Sequence, residues 1–388
     1  MLITESKNCT GCGACANICP HNALNIVDDK FGFLKPVVNN KLCTGCNLCK
    51  NICPILNFNC HMNGTPEVYA LIYKNDEILQ KSSSGGAFYA FAQKVIKSNG
   101  TVYGVIWDKN IKAIHARAAN LDEIEKMHGS KYVQSDTNTT FRQVKKDLEK
   151  GLHVLYTGTP CQIAGLQAFL RKDYDKLHTI DLICNGTQSR LLLERYKQNF
   201  MLDKNTEEFI SNINFRSKKQ GWGNYFTVIT TNKNTYEIQN DLYPQVMNIS
   251  TNYCCSECKF NKIPRIGDIT IGDFWGVEAF DNSLDNKKGV SIILVNSING
   301  KSLLQQIDDT CILRKVPLKT AIKKNPNITG LIKLNREREQ FIKEISNPNL
   351  SYNKIMKHYT KIPFYITIYR TLPLFIKNFI RKKLLQRY

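Results

Sequence analysis

Two cysteine runs with the same spacing constrain this chain most, because the spacing specifies a metal chemistry before any fold is considered. The first run, Cys9–Pro20, reads CTGCGACANICP, and the second, Cys43–Pro54, reads CTGCNLCKNICP. Both follow C-x2-C-x2-C-x3-C-P, and the unit recurs after 34 residues (43 minus 9). Three thiolates on one tight loop can hold three corners of a [4Fe-4S] cubane. Small residues such as Gly11 and Gly45 let the backbone approach the sulfides.

The fourth cysteine of each run stands apart from the other three, and in two-cluster ferredoxins that cysteine ligates the other cluster. Zinc is the alternative, but zinc sites pair C-x2-C knuckles and lack the trailing C-P. With a short hairpin expected between the runs, residues 1–58 are predicted to form a dicluster ferredoxin fold. The predicted ligands are Cys9, Cys12, Cys15 and Cys53 for one cluster, and Cys43, Cys46, Cys49 and Cys19 for the other.

Composition places limits on the partners and the compartment. Lys and Arg number 53 against 33 Asp and Glu, a formal net charge of +20, although each cluster would offset roughly two positive charges. Such a charge favours an acidic partner, an anionic membrane or nucleic acid. Because no nucleic-acid-binding module accompanies it, we expect no nucleic-acid partner. Fifteen cysteines, with no export signal at the first residues, favour metal or redox chemistry in the cytoplasm.

The last segment, residues 346–388, has a different character. Residues 352–388 contain nine Lys or Arg and no Asp or Glu. Aromatic and apolar stretches at 362–369 and 372–376 precede most of this charge, which includes Lys377, Arg381, Lys382, Lys383 and Arg387. A basic aromatic segment suits an anionic surface such as the inner face of the membrane. A C-terminal helix packed on the domain, with a solvated basic face, is the alternative.

Between residues 66 and 345, strand and helix patterns alternate, which predicts an α/β domain with a mixed sheet. No G-x-G-x-x-G follows a strand, so the Rossmann fingerprint is absent. Residues 225–239 are expected to form a hairpin that turns at 232–234. Strands are predicted at 68–74, 101–107, 111–118, 153–156, 177–184 and 289–296, and helices at 85–98, 121–128, 141–150 and from Cys161 to about Arg171.

The Gly-rich loop Ser82–Ala87 precedes one of these helices. Such a loop can hold a phosphate on its amides and hydroxyls. A serine N-cap followed by glycine in the first turn is the alternative, and the residues alone do not separate the two.

Six ordered motifs in the middle of the chain resemble the coenzyme F-420 hydrogenase/dehydrogenase beta subunit family. The resemblance covers about residues 66–300 and implies a non-Rossmann α/β fold that binds FAD beside an iron–sulfur cluster. Members with an N-terminal dicluster ferredoxin are similar to ferredoxin-dependent reductases. Asn185 stands where the family pattern has His, which weakens any proposal of a general acid there. The motifs are Ser83–Ala87, Gly129–Ser135, Gly158–Gln162, Asp181–Gly186, Cys255–Lys259 and Gly272–Gly276.

Four further cysteines lie in these motifs. Cys161 and Cys184 each follow a predicted strand, so neighbouring strands would bring both thiols to one edge of the sheet. Cys255 and Cys258 form a C-x2-C pair, and Cys254 can replace Cys255. Together they predict a third [4Fe-4S] cluster. A zinc site and separate buried thiols are the alternatives.

The resemblance also implies which residues contact FAD. The loop at Ser83 would meet the pyrophosphate, and Lys131 would stabilise negative charge developing on the flavin. Lys131 and Asp273 are the candidate catalytic residues, with a solvated lysine and a buried turn as the alternatives. The predicted cofactor-binding set is Ser83, Ser84, Gly85, Gly86, Ser130, Lys131, Tyr132, Gln134, Ser135, Gly158, Thr159, Pro160, Asp273 and Trp275.

Together these features predict an iron–sulfur flavoprotein oxidoreductase of mixed α+β and α/β class. A dicluster ferredoxin fold (1–58) would precede a mixed-sheet flavin-binding catalytic domain (66–345) and the tail (346–388). Electrons would pass between the clusters and FAD, in either direction, for an organic substrate or a deazaflavin-like coenzyme. The expected partner is a ferredoxin or a hydrogenase or dehydrogenase subunit. Two alternatives are a non-catalytic electron-transfer subunit and a membrane-associated accessory protein of surface polysaccharide biosynthesis.

Overall fold

Most of the chain is described by a computed structural model, which covers residues 7–57, 64–204, 208–285, 287–330 and 332–360, together with Leu372 and Ile376. Cys60 lies outside the described residues, and so do residues 361–388 of the predicted tail apart from Leu372 and Ile376, whereas residues 346–360 of the tail are described. Within these ranges, no helix is both long enough and apolar enough to cross a membrane.

A hairpin and two short helices form the cluster module, which we define as residues 7–57. Its elements are α1 (Ala14–Ile18), β1 (Leu24–Asp28), β2 (Leu34–Val38) and α2 (Leu48–Asn51). The strands β1 and β2 pair antiparallel, which confirms the predicted hairpin. Each helix follows a residue with left-handed backbone, Gly13 (φ +80°) or Asn47 (φ +60°). The two cysteine runs therefore bend in the same way.

Two sheets follow the module. The larger is a mixed eight-stranded sheet of order β13-β3-β12-β11-β7-β6-β4-β5, and the smaller has the order β10-β9-β8. In chain order the strands are β3 (Glu67–Tyr73), β4 (Thr101–Trp107), β5 (Ala113–Ala118), β6 (Val154–Gly158), β7 (Leu177–Leu182), β8 (Ile210–Ser217), β9 (Phe226–Thr231), β10 (Thr235–Ile238), β11 (Ile269–Asp273), β12 (Ser291–Val295) and β13 (Cys311–Lys315).

Strand direction brings several loop positions to one edge of the large sheet. The strands β4, β6, β7 and β11 are parallel neighbours in that order. Because β12 pairs antiparallel with both β11 and β3, β3 runs in the same direction as β11. We call the edge where these five strands end the carboxyl edge. Open α/β sheets bind their ligands at such an edge.

Helices cover both faces of the large sheet. Phe91 of α4 packs on one face, whereas Phe141 of α6 and Ile163 of α7 pack with Tyr156 on the other. All residues of β6 are buried, as expected for a central strand covered on both faces. The helices are α3 (Asp76–Lys81), α4 (Ala87–Lys97), α5 (Leu121–Glu125), α6 (Thr140–Glu149), α7 (Pro160–Leu170), α8 (Arg190–Lys204), α9 (Tyr243–Val246), α10 (Val277–Phe280), α11 (Ile298–Gln305), α12 (Leu318–Lys324), α13 (Arg338–Ser346) and α14 (Tyr352–Tyr359).

The small sheet contains a strand that the sequence does not predict. The expected hairpin is confirmed as β9 and β10, but β8 joins it. Since β8 reads ISNINFRS, its Asn and Ser residues hide the strand pattern. Ile213 and Phe215 of β8 are buried in one cluster with residues of α8, α13 and α14, so tertiary packing stabilises the strand. The strands β11 and β13 are likewise additions to the prediction.

Arg142 of α6 joins the cluster module to the rest of the protein. Its guanidinium donates to the carbonyl oxygens of Asn17 (2.6 Å), Cys19 (2.7 Å) and Ala16 (3.1 Å) and to Asn22 Oδ1 (2.8 Å). These carbonyls belong to the end of α1 and the turn after it, where helical carbonyls lack partners inside the helix. One charged side chain therefore caps α1 and holds the module on α6.

We expect Arg142→Met to lower the free energy of unfolding by about 3 kcal/mol, because it removes charge-assisted hydrogen bonds to buried carbonyls. Urea unfolding of the anaerobically purified protein, followed by circular dichroism and by cluster absorbance, measures the change. Lys150→Met, at the exposed end of the same helix, is the matched control. Equal stability of the two variants would contradict the assigned role of Arg142.

Candidate functional site

One predicted set of cluster ligands surrounds a single cavity in the module. Its lining includes Cys9, Cys12, Cys15 and Cys53. Burial raises the pKa of Cys12, and the thiols of Cys15, Cys9 and Cys53 raise it further. The same causes raise the pKa of Cys15 to about 12. Thiols placed in this way ionise only beside a compensating cation, so the donor set fits the iron core of a cluster.

The other predicted set lies nearer to solvent. Cys43 and Cys46 are exposed and Cys49 is half-buried, whereas Cys19 is buried. Burial raises the pKa of Cys49, and the Cys46 and Cys19 thiols add to the effect. The amide of Ala23 donates to Cys19 Sγ at 3.3 Å, the kind of hydrogen bond that orients a sulfur ligand. The structure thus brings the fourth cysteine of the first run to the second run.

Helix α7 links the buried cysteine set to the carboxyl edge. A Cβ atom on Gly165, in the middle of α7, would lie 3.0 Å from both Cβ and Sγ of Cys12, so glycine permits this approach. Cys161 lies in the first turn of the same helix. Burial raises the pKa of Cys161, and Cys12 is among the thiols that raise it further. One helix therefore contacts a predicted ligand of the buried cluster and bears a cysteine of the next set.

The third cysteine set meets at the carboxyl edge. Cys161 and Cys184 follow β6 and β7, which are parallel neighbours, and this confirms the expectation that both lie at one edge. Burial raises the pKa of Cys184, and Cys255, Cys161 and Cys258 each raise it further. Burial is the largest cause that raises the pKa of Cys161, and the thiols of Cys258 and Cys255 raise it further. The four thiols are therefore mutual neighbours.

Cys254 lies beside this set as a partner of Cys255. The hydrogen bond from Cys254 lowers the pKa of Cys255, and the Thr187 amide donates to Cys255 Sγ at 3.4 Å. This favours Cys255 over Cys254 as the thiolate of the pair. Among the residues that the structure describes, no three His, Cys, Asp or Glu side chains are arranged to hold a single metal ion.

A buried ion pair lies under the third set. Arg265 and Asp181 are both fully buried and approach within 2.9 Å. Arg265 also donates to the Leu182 carbonyl at 2.7 Å, and Thr270 donates to Asp181. Burial raises the pKa of Asp181, although Arg265 lowers it again. The pair joins the end of β7, which leads to Cys184, to the segment that follows Cys258.

The predicted Ser-Gly-Gly loop also reaches the carboxyl edge. Ser130 donates to Ser83 Oγ at 2.9 Å, so two of the matched motifs meet. The Gly85 amide donates to Ser291 Oγ at 2.9 Å, which fixes the loop on β12. The left-handed Gly86 (φ +86°) opens α4, and no side chain caps that helix. The serine N-cap considered above is therefore not formed.

Two lysines lie beside this loop, each surrounded by carbonyl oxygens. Lys131 Nζ donates to three carbonyls of the preceding loop, the nearest being His128 O at 2.8 Å. Lys218 Nζ donates to three others, including Ser84 O at 3.1 Å. Burial lowers the pKa of each ammonium to about 7. Carbonyl dipoles do not cancel these charges, so an anion placed here would be stabilised.

Asp273 lies at the end of β11 in a cluster of cationic and aromatic side chains. It accepts from Arg216 Nη1 at 2.9 Å, and Arg216 also donates to Tyr225. Trp275, which is 40% exposed, packs on Trp222 with ring centroids 4.4 Å apart. Arg216 Nε and Trp222 Nε1 are buried donors without an acceptor among the described residues. Buried donors of this kind are satisfied by water or by the acceptor atoms of a ligand.

The sequence prediction missed four members of this site: Arg216, Lys218, Trp222 and Tyr225. They lie in residues 215–226, which read FRSKKQGWGNYF. Cations interleaved with glycines and aromatics were the available signal. It was weak because the strand β8 that positions it was not recognised.

Gln134 has a different place from the one predicted. The sequence predicts a flavin contact, whereas both ends of its amide bind the cluster module. The Leu34 amide donates to Gln134 Oε1 at 3.0 Å, and Gln134 Nε2 donates to the Thr10 carbonyl at 2.8 Å. Tyr132, two residues earlier, packs on Phe215 with ring centroids 5.9 Å apart. The Gly129–Ser135 motif thus spans from the carboxyl edge to the module.

Other predicted cofactor residues form the start of α7. Gly158 ends β6, Thr159 caps α7 together with Gln162, and Pro160 occupies the first turn. The Gln162 amide donates to Ser135 Oγ at 3.0 Å and to its carbonyl at 3.1 Å. These contacts hold the first turn of α7, and with it Cys161, against the Gly129–Ser135 motif.

Comparison with known families agrees with this geometry. Residues 8–56 match the 4Fe-4S dicluster domain, and residues 151–320 match the family described as the C terminus of the coenzyme F420 hydrogenase/dehydrogenase beta subunit. The chain therefore contains a segment that matches a 4Fe-4S dicluster domain, followed by one that is similar to the C terminus of the coenzyme F420 hydrogenase/dehydrogenase beta subunit. The resemblance is confirmed over residues 151–320, which contain four of the six motifs, whereas Ser83–Ala87 and Gly129–Ser135 precede the matched range. An electron-transfer role follows from the two matched segments.

Among solved structures, a chain of the F420-reducing [NiFe] hydrogenase complex from Methanosarcina barkeri is similar to this beta-subunit-like chain. The match covers 75% of this chain and 96% of that one, with 15% identity and a TM-score of 0.46. No curated protein matches the chain.

We expect Arg265→Met to lower the free energy of unfolding by about 3–5 kcal/mol, because it leaves the Asp181 carboxylate buried without its cation. The double variant Arg265→Met/Asp181→Leu removes both charges and should recover most of this loss. Urea unfolding of all three proteins measures the cycle. A double variant no more stable than the single one would show that the pairing of the two charges is not what matters.

Proposed function

We propose that this protein is an iron–sulfur flavoprotein oxidoreductase that passes electrons between its module and an FAD at the carboxyl edge. An organic substrate or a deazaflavin-like coenzyme is reduced or oxidised there. The observation that carries the proposal is α7, because Gly165 of this helix contacts Cys12 while its first turn bears Cys161. Electrons therefore have a short path from the module to the edge of the sheet.

The solvent exposure of the two cysteine sets suggests the order in which electrons pass through the clusters of the module. The set of Cys43, Cys46, Cys49 and Cys19 includes two exposed cysteines. Cys12, from the other set, packs among residues of α6 and α7. We assign the cluster on the exposed set to electron exchange with a partner. The cluster on the buried set, which includes Cys12, would pass electrons inward.

A third [4Fe-4S] cluster on Cys161, Cys184, Cys255 and Cys258 would continue this path. Its support is the meeting of all four thiols at the ends of β6 and β7 and in the segment before β11. A cluster core supplies the positive charge that ionised thiols in this buried place need. The ion pair of Arg265 and Asp181 beneath the set holds two of its segments in place.

The residues around Ser83 fit an anionic cofactor. The Ser83 and Ser130 hydroxyls and the amides that open α4 suit a pyrophosphate. Lys131, Lys218 and Arg216 would stabilise negative charge at the same edge. FAD, when bound, exchanges single electrons with clusters and electron pairs with organic molecules.

Trp222 and Trp275 offer an aromatic surface beside this anion site. Aromatic side chains packed in this way suit a planar ring system. Arg216 and Asp273 face the same cluster of side chains, so they would orient the polar atoms of a planar substrate or of the flavin ring.

Metal and flavin analysis of the anaerobically purified protein tests the proposal. We expect about 12 iron atoms per chain, which is three clusters of four, and one FAD in the supernatant after denaturation. Cys161→Ser should remove about four irons, whereas Cys311→Ser, at a buried cysteine in β13, should remove none. About eight irons without flavin in the wild type would contradict the proposal and favour a non-catalytic electron-transfer subunit.

We expect Lys131→Met to weaken FAD binding by about tenfold or more, equivalent to about 1.4 kcal/mol, because it removes a half-buried positive charge from the anion site. Titration of the flavin-depleted protein with FAD, followed by flavin fluorescence, measures the affinity. Lys126→Met removes an exposed charge from the same loop and is the matched control. Equal affinities of the two variants would remove Lys131 from the cofactor site.

A further inference from the structure

We propose that a basic groove beside Cys19 is the docking site of a small acidic one-electron carrier protein. The rim of this groove contains Arg142, Lys145 and Lys146 from α6 and Arg171 from the end of α7. The inference rests on the proposed function, because it names the partner that exchanges electrons with the exposed cluster.

Positive charge dominates the groove. Lys145, Lys146 and Arg171 are all exposed. The one acidic residue in the described lining is Glu149, whose carboxylate lies 3.8 Å from Lys145 Nζ. Exposed pairs of this kind contribute little stability and are screened by salt, so Glu149 leaves most of the field intact. A groove lined mainly by one sign of charge attracts a partner of the opposite sign.

The module presents few acidic side chains to a partner. Its only acidic residues are Asp28 and Asp29, and Asp28 lies 3.4 Å from Arg190. Because each cluster would offset roughly two of the positive charges of its lysines, the attraction for an acidic carrier comes from the groove and not from the module. The module's basic residues are Lys7, Lys30, Lys35, Lys41 and Lys50.

The position of the groove suits electron transfer. Cys19, a predicted ligand of the exposed cluster, lines its wall together with the exposed Pro20. Arg142 binds the Cys19 carbonyl at 2.7 Å, so the wall and the rim keep one geometry. Phe169 and Leu170 give the groove an apolar floor. A carrier seated here would contact the polypeptide that holds the cluster.

These features favour a protein over a lipid surface as the occupant. A flat membrane does not enter a groove, whereas an acidic protein can place an apolar side chain on its floor and carboxylates on its rim. Redox encounters are typically small and depend on steering by charge. In the step itself the reduced carrier loses one electron and the exposed cluster gains it, with no bond made or broken. The reverse transfer uses the same contact.

Stopped-flow mixing with a reduced acidic [2Fe-2S] ferredoxin tests the proposal. Because the spectrum of a [2Fe-2S] cluster differs from that of a [4Fe-4S] cluster, reoxidation of the carrier is followed separately from cluster bleaching in this protein. For the wild type we expect a second-order rate that falls steeply as salt rises. Lys145→Glu/Lys146→Glu should lower the low-salt rate about tenfold or more and remove most of the salt dependence. Reduction by dithionite, which needs no docking, should be unchanged.

The matched control is Lys319→Glu/Lys323→Glu on α12, which makes the same change of net charge. This helix packs on β3, and three strands separate β3 from β6 in the sheet. If both variants were slowed equally, the effect would be one of net charge alone, and the proposal would be overturned. A wild-type rate that does not depend on salt concentration would overturn it as well. If the double glutamate variant disturbs the clusters, Lys145→Gln/Lys146→Gln takes its place. This neutral variant is then expected to react more slowly than the wild type, and an unchanged rate would overturn the proposal.

Binding to anionic phosphatidylserine vesicles tests whether a membrane, rather than an acidic protein, occupies the groove. Vesicle binding that is lost in the Lys145→Glu/Lys146→Glu variant, with its ferredoxin rate intact, would overturn the proposal in favour of a lipid surface. Cluster bleaching by ferredoxin requires neither FAD nor an organic substrate. Absence of flavin would therefore contradict the proposed function and leave this docking result unaffected.

Discussion

The approach of Cys12 to α7 is the contact on which the rest of the structure depends. Gly165 leaves room for Cys12 against the helix, and the first turn of that helix carries Cys161 to the carboxyl edge. A side chain at Gly165 would push the module outward, because interiors are packed too closely to absorb an added carbon without strain. The distance between the predicted clusters is thus set by helix packing.

Hydrogen bonds to the backbone hold that contact in register. Arg142 caps α1, Gln134 binds two backbone groups of the module, and Thr137 donates to the Cys12 carbonyl at 3.1 Å. Apart from Asn22 Oδ1, the module's partners in these bonds are main-chain groups, whose positions follow from the turns of the cysteine runs and the hairpin. The module is therefore joined to the larger part through the same loops that present its thiols. Electron transfer benefits, since the relative position of donor and acceptor does not rely on mobile surface side chains.

The charged side chains at the carboxyl edge are of two kinds: those paired with an opposite charge and those surrounded by carbonyl oxygens. Arg265 and Asp181 neutralise each other beneath the cysteines and serve the fold. Lys131 and Lys218 are surrounded instead by carbonyl oxygens, so their positive charge remains available to an anion. A protein that buries uncompensated cations loses stability unless a ligand restores it. The second arrangement is therefore the stronger indication of a binding site.

The sequence by itself determined the module, the six motifs and most strands of the large sheet. Each of these depends on local spacing or on an apolar run, as in Cys9–Pro20 and β6. Only the tertiary structure decided that Gln134 serves the module, that β8 exists, and that Arg216, Lys218 and Trp222 join Asp273. Those outcomes depend on contacts between residues far apart in the chain, and periodicity contains no information about them. The same holds for the basic groove, whose rim and wall come from segments more than 100 residues apart, Cys19 and Arg142.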